Sequence, residues 1–149
     1  MAEQSAATEP TLLYVVKQVE LAIRARLDDL LKPSGTTALQ YTALTVLERR
    51  ADLSAAELAR NSFVTTQTMA DMVTALEDRG LISRHRDPTN RRRLMIRLTE
   101  PGRALLDRHR DEVAELEATM LVGLTGKQAA NLRAHLNSCR GALADRPPH

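Results

Sequence analysis

The chain has 149 residues, 43% of them hydrophobic, enough for one domain with a sizeable core and too apolar for a disordered polymer. Its 21 Lys and Arg face 19 Asp and Glu for a net charge of +2, and with a pI near 9.0 the total alone does not single out a nucleic-acid partner. No apolar run approaches the about 20 residues that cross a bilayer, no secretory segment opens the chain, and the single Cys139 excludes an internal disulfide framework, so a cytoplasmic protein held by packing, with no membrane contact, is expected.

In chain order, SAATEP offers capping residues and a first-turn proline. Leu12, Val15, Val16, Val19, Ile23, Leu27, Leu30 and Leu31 then recur at helical spacing. KPSGT ends this first helix, and Leu39, Ala43, Leu44, Val46 and Leu47 mark a second that stops at ERRAD. Ser54-Ala-Ala-Glu57 has capping-box spacing and opens a short helix, SAAELARNS. Phe63 and Val64 lead to Thr65, which caps a helix carrying Met69, Met72, Val73 and Leu76 at i, i+3, i+4 and i+7 until Gly80 stops it. Two short helices joined tightly predict a helix-turn-helix.

Leu81 to Arg86 and Leu94 to Leu98 read as strands, with the turn chemistry of Asp87-Pro-Thr-Asn between them and Arg91, Arg92 and Arg93 at the hairpin tip. Thr99-Glu-Pro-Gly opens a helix of about twenty residues with Leu105, Leu106, Val113, Leu116, Met120 and Leu121 on its stripe. Thr125 and Gln128 form a second capping box for a last helix expected to bury Leu132, Leu136, Cys139 and Leu143, before a frayed ADRPPH. The fold class is therefore mainly α with a small β-hairpin, a winged helix-turn-helix framed by helices at both ends.

Charge is uneven along this order. Between Thr65 and Arg97 seven arginines face four carboxylates, a local +3 that leaves the rest of the chain at −1. Neighbouring like charges repel and do not stabilise a turn, so a polyanion partner explains the cluster better than solubility does. With its apolar positions against the core, the helix after Thr65 turns Gln67, Asp71 and Thr74 outward. Gln67 suits adenine, Thr65, Thr66 and Thr68 suit phosphates or a thymine methyl, and Asp71 suits a cytosine amino group. Taken alone, a polar face is more often only a solvated face; the basic hairpin next in sequence reverses that balance. Arg84 and Arg86 share one face of the hairpin by alternation, opposite His85, and one face is expected to meet the DNA backbone.

The run AAELARNSFVTTQTMADMVTALEDRGLISRHRDPTNRRRLMIRLTEPGRALL resembles the MarR family of bacterial transcriptional regulators, closely over about fifty residues and in helix order along the whole chain. The resemblance implies one domain over residues 1–149, with dimerisation helices at 10–32 and 101–145 around a winged part at 38–100. It implies a homodimer, most readily a repressor, on a pseudo-palindromic double-stranded DNA operator, with Ser54 among the DNA-facing residues. By spacing back from Thr99, Arg92 matches the arginine that enters the minor groove. Asn90 stands where the family has a bracing aspartate, so that the brace is weaker or comes from Asp87. Asp71 departs from the basic or neutral residue of relatives. Arg91 and Arg93 fall to phosphates. A small aromatic or phenolic effector is implied, in a crevice that maps onto Arg24, Tyr41 and Leu44, although Tyr41 serves equally as packing of the second helix.

Other chemistry finds little support. Some family members sense oxidants through cysteine, but the spacing of Cys139 from Leu132, Leu136 and Leu143 marks a packed apolar position. His85, His109, His135 and His149 are scattered without a ligand pair, and no nucleophile–base set or phosphate loop is present, so neither an enzyme nor a cofactor or metal site is expected. The rival reading from another class is a winged-helix module whose arginines meet an acidic protein partner, which duplex DNA would fail to displace.

Overall fold

The computed structural model describes residues 8–62 and 64–144. The first half of SAATEP, Phe63, and the tail beyond Ala144 with His149 lie outside the described residues. The elements follow the predicted order. Helix α1 spans Leu12–Leu31, capped not within SAATEP but by Thr11, whose hydroxyl accepts the Tyr14 N–H at 3.1 Å. A 3-10 turn, Lys32–Ser34, closes it. Helix α2, Ala38–Arg49, starts at a capping box unforeseen in the sequence: Thr37 Oγ1 accepts the Gln40 N–H at 3.1 Å and Gln40 Oε1 accepts the Thr37 N–H at 3.1 Å.

Helices α3, Ala55–Ser62, and α4, Thr66–Asp78, form the helix-turn-helix. Met69, Met72, Val73 and Leu76 on α4 are all buried and join Leu44, Leu47 and Leu58 in the core. Each such side chain taken from water contributes about 2 kcal/mol. Past Asp78 the backbone turns back on itself, with Leu81 N–H donating to Leu76 O at 3.0 Å and Gly80 at φ +73°, the left-handed position that glycine fills without strain.

Strands β1, Ile82–Asp87, and β2, Asn90–Leu98, pair antiparallel in register from Ile82↔Leu98 to Arg86↔Leu94. The next pair is Asp87↔Asn90. Residues 91 to 93 therefore have no partner on β1 and bulge from β2, with only Pro88 and Thr89 left in the turn. The three arginines sit in this bulge rather than at the tip, a difference that the turn residues alone do not reveal. A third short strand position also joins the sheet, since Ile96 N–H donates to Leu53 O at 2.7 Å.

Helix α5 runs Glu100–Met120 and buries Gly102, Leu105, Leu106 and His109 in its first half. Helix α6, Gly126–Ala144, opens at the predicted Thr125–Gln128 capping box, with Gln128 N–H on Thr125 Oγ1 at 3.1 Å and Thr125 N–H on Gln128 Oε1 at 2.9 Å. The burial expected on α6 is corrected. Leu132, Leu136 and Leu143 are exposed and so is Cys139. On α1, Leu12, Leu13, Val16 and Val19 are likewise exposed. The chain divides into two compact units near Val113.

Candidate nucleic-acid interface

Helix α4 begins at Thr65, whose hydroxyl accepts the Thr68 N–H at 3.1 Å and donates to Thr68 Oγ1 at 3.0 Å. Both hydroxyls thus take part in the cap. Thr66, Gln67, Asp71 and Thr74 are exposed. Thr74 Oγ1 donates back to Ala70 O at 3.2 Å, whereas Gln67 and Asp71 make no side-chain hydrogen bond among the described residues. The far end of α4 is anchored by Arg79, which donates to Ser34 O at 2.7 Å and Gly35 O at 3.1 Å in the loop after α1. The same loop is held from α5, where the buried His109 bonds Ser34 Oγ through Nε2 and lies 3.3 Å from Glu112 Oε1 through Nδ1. Neither anchor was legible in the sequence.

The hairpin sorts its arginines. Arg84 is tied to Glu77 on α4 at 2.8 and 3.2 Å, and the Arg84 guanidinium beside it holds the Glu77 carboxyl below its ordinary range. Arg86 donates to Arg91 O at 2.8 Å and so braces the bulge from β1. Arg93 pairs with Glu57 on α3. Arg97 donates through Nε to Asp52 Oδ1 at 3.0 Å, with His85 Nε2 at 3.1 Å from the same oxygen. Of the six hairpin arginines, Arg91 and Arg92 alone have guanidinium groups without a partner among the described residues. They project two unspent positive charges, the form in which a cation is available to phosphate or to a narrow groove.

Two expected braces take another form. Asn90 Oδ1 accepts the backbone N–H of Arg92 at 3.2 Å, fixing the backbone rather than the guanidinium. Asp87 Oδ1 is occupied by the Thr89 hydroxyl at 2.7 Å and N–H at 2.9 Å, and these bonds hold its carboxyl below the usual range. Ser54 likewise spends its hydroxyl within its own capping box, accepting the Glu57 N–H at 3.2 Å and donating to Glu57 Oε1 at 2.9 Å.

Arg24, Tyr41 and Leu44 are not brought together. Leu44 is sealed in the core, and Tyr41 packs partly against it, with burial raising its phenol above the ordinary value. Arg24 alone of the three lines a half-open hollow of about 470 Å³ together with Asp28, Lys32, Thr36, Thr37 and Leu39. The loop that floors this hollow is the one gripped by Arg79 and His109.

Among the described residues no helix is long and apolar enough to cross a membrane, and no three metal-ligating side chains gather. The model of the MarR family matches residues 36–94, which contain α2 to α4 and most of the hairpin. The HTH-type transcriptional repressor Rv2887 of Mycobacterium tuberculosis is 33% identical over 130 residues, covering 87% of this chain and 94% of its own length. The crystal structure of that protein in complex with p-aminosalicylic acid superposes with a TM-score of 0.71 at 32% identity, over 87% of this chain and 98% of the other. The S. aureus MepR–DNA complex matches in fold, with a TM-score of 0.77 at 24% identity over 90% and 99% of the two chains. With a winged helix-turn-helix of this element order and a relative that similar along nearly its whole length, the chain belongs to the MarR family of transcriptional regulators.

Proposed function

We propose that the chain is a homodimeric repressor that binds a pseudo-palindromic duplex through α4 and the β-hairpin and leaves it when a small aromatic or phenolic anion binds. The single observation that carries the reading is the pair of unpartnered guanidinium groups, Arg91 and Arg92, bulging from β2 in a chain whose other hairpin arginines are all engaged. Gln67 and Asp71 on the exposed face of α4 supply base-reading groups, and Thr66 a hydroxyl for phosphate. The exposed apolar residues of α1 and α6 give a second copy the surface to bury, with residues 10–32 and 101–145 as the dimerising parts and 38–100 as the reading part.

For the effector, Lys32 supplies positive charge and Leu39 apolar surface to the hollow beside α1, which Arg24 lines while bonded to Glu20, and p-aminosalicylic acid, bound by the similar Rv2887, is a small aromatic anion of that kind. The protein carries out no reaction and acts where its DNA is, in the cytoplasm. Selection of genomic fragments by the purified protein is the test. A recurring pseudo-palindrome with half-site centres about 10 bp apart supports the reading, and failure to retain any duplex at low salt refutes it.

A further inference from the structure

The segment that leads into α3, together with the first turn of that helix, is fastened to strand β2 at three successive places. Asp52, in the left-handed conformation at φ +62°, takes Arg97 on its carboxylate at 2.9 and 3.0 Å. Leu53 O accepts the Ile96 N–H at 2.7 Å. Glu57 takes Arg93. The order is that of an antiparallel pair, and it rises along β2 from its root to the bulge.

Of the two carboxylates, Glu57 is the more withdrawn from water. Its Oε1 receives the Ser54 N–H at 3.3 Å, the Ser54 hydroxyl at 2.9 Å and the Arg93 guanidinium, and its side chain keeps only 24% of its exposure. A carboxylate so far withdrawn from water needs partners, and Arg93 supplies the charge that the capping serine does not. Arg93 is the last residue of the bulge, next to the point where the regular ladder resumes at Leu94. Holding it therefore fixes where Arg91 and Arg92 begin and how far they stand from α3.

We infer that Arg93 is a strut rather than a phosphate contact, and that Glu57 is the positioning residue that aims the bulge and its two free arginines at DNA. The usual electrostatic expectation has the opposite sign: a carboxylate near a polyanion weakens binding, and deleting it tightens binding. Here deletion loosens the wing and weakens binding to a specific site. Asp52 and Arg97 support the root of the same strand.

The inference rests on the DNA-binding reading, and the test separates the two. Glu57→Gln is the informative variant, because glutamine three residues after a serine still completes a capping box while the ion pair is lost. Arg93→Ala, the double variant and Arg91→Ala complete the set. Binding to one duplex selected from genomic fragments and to one scrambled duplex is measured across a salt series, and amide hydrogen exchange of the hairpin is measured without DNA. Arg91→Ala lowers the salt slope by about 0.9 for each phosphate that the protein no longer neutralises. Glu57→Gln and Arg93→Ala each weaken binding to the selected duplex roughly tenfold, the scale of one charged hydrogen bond, while leaving the slope unchanged. The double variant is no weaker than either single, as expected of one shared interaction. Exchange at the Met95 amide, which faces His85 across the ladder, quickens in both single variants and not in Arg91→Ala. If Arg93→Ala lowers the slope as Arg91→Ala does and Glu57→Gln tightens binding, Arg93 is a phosphate contact and the assignment is overturned. Wild-type protein that binds no duplex overturns the DNA-binding reading itself, and this inference with it.

Discussion

Thr99 Oγ1 donates to the carbonyl of Gly80 at 2.6 Å, so the residue that opens α5 also closes the β-hairpin at its root. The same hydroxyl accepts the Gly102 N–H at 3.2 Å, and Thr99 N–H donates to Leu81 O at 3.1 Å. The stretches DRGLI and LTEPG, joined through Gly80 and Thr99 nineteen residues apart, are thus one structural joint.

Gly102 is the tight point of that joint. A Cβ there lies 2.3 Å from Leu81 O and 2.7 Å from Leu98 Cδ1, and the first of these is backbone that cannot step aside. Gly102→Ala is expected to destabilise the protein by about 3 kcal/mol or more, at the upper end of overpacking costs. Thr99→Val, which keeps the shape and removes the hydroxyl, costs about 1–2 kcal/mol through the lost cap and the orphaned Gly80 carbonyl. Urea denaturation of the three proteins checks both values. A Gly102→Ala protein as stable as wild type contradicts the joint.

The acid limb of stability carries a signature of the α4–hairpin contact. Glu77 is held below its ordinary value of 4.5 chiefly by its hydrogen bond from Arg84. A carboxyl depressed in the folded state binds fewer protons there than in the unfolded chain, so its contribution is fully present above about pH 4.5 and is lost as pH falls through the folded value. Urea midpoints followed downward from about pH 6 fall for wild type. Glu77→Gln, already without the pair, starts lower and falls less over the same window. Parallel curves for the two proteins contradict the pairing.

The apolar stripe of α6 is exposed, with Leu136 at 46% and Leu143 at 77%. If a second copy covers it, the protein sediments at about twice its 16.5 kDa chain mass. Leu132→Asp with Leu136→Asp then yields a folded monomer or a strongly weakened dimer, since buried carboxylates without partners oppose association. A wild-type monomer at micromolar concentration, about 1–10 µM, contradicts the dimeric reading.

What could be read from the sequence was local, and what escaped it was long-range. The Ser54–Glu57 and Thr125–Gln128 boxes and the buried face of α4 follow from spacings of three and four residues, which short-range sterics and hydrogen bonding enforce. The bulge at Arg91–Arg93 escaped because turn residues at Asp87 to Asn90 mark a turn without fixing which residues pair across it. Periodicity showed that α6 has an apolar face but not that its leucines are exposed. Leu44 fell in the core instead of a crevice wall for the same reason: a one-dimensional pattern tells buried from exposed, not one buried surface from another. The pairs Asp52–Arg97 and Arg79–Ser34 join residues 45 positions apart, and only the tolerance of aspartate for positive φ hints at the first.

Asp71 is exposed on α4 and has no side-chain hydrogen bond among the described residues. Asp71→Ala is expected to raise affinity for scrambled DNA by removing a like charge from the polyanion's path, and to lose about 1–3 kcal/mol of discrimination at one C·G pair if the carboxylate reads a cytosine amino group. Affinities for a selected and a scrambled duplex measure both effects. No change in either places Asp71 away from the groove.

Reading of duplex DNA by the β2 bulge is checked by Arg92→Ala on two versions of one selected site that differ only in flanking base composition. Binding of wild type and variant to A·T-rich and G·C-rich flanks is compared at one salt concentration. Wild type is expected to prefer A·T-rich flanks and Arg92→Ala to lose most of that preference, about 1 kcal/mol or more, because the narrow groove concentrates the negative potential that the free guanidinium meets. Equal affinity of the variant and wild type for both sites would contradict that reading.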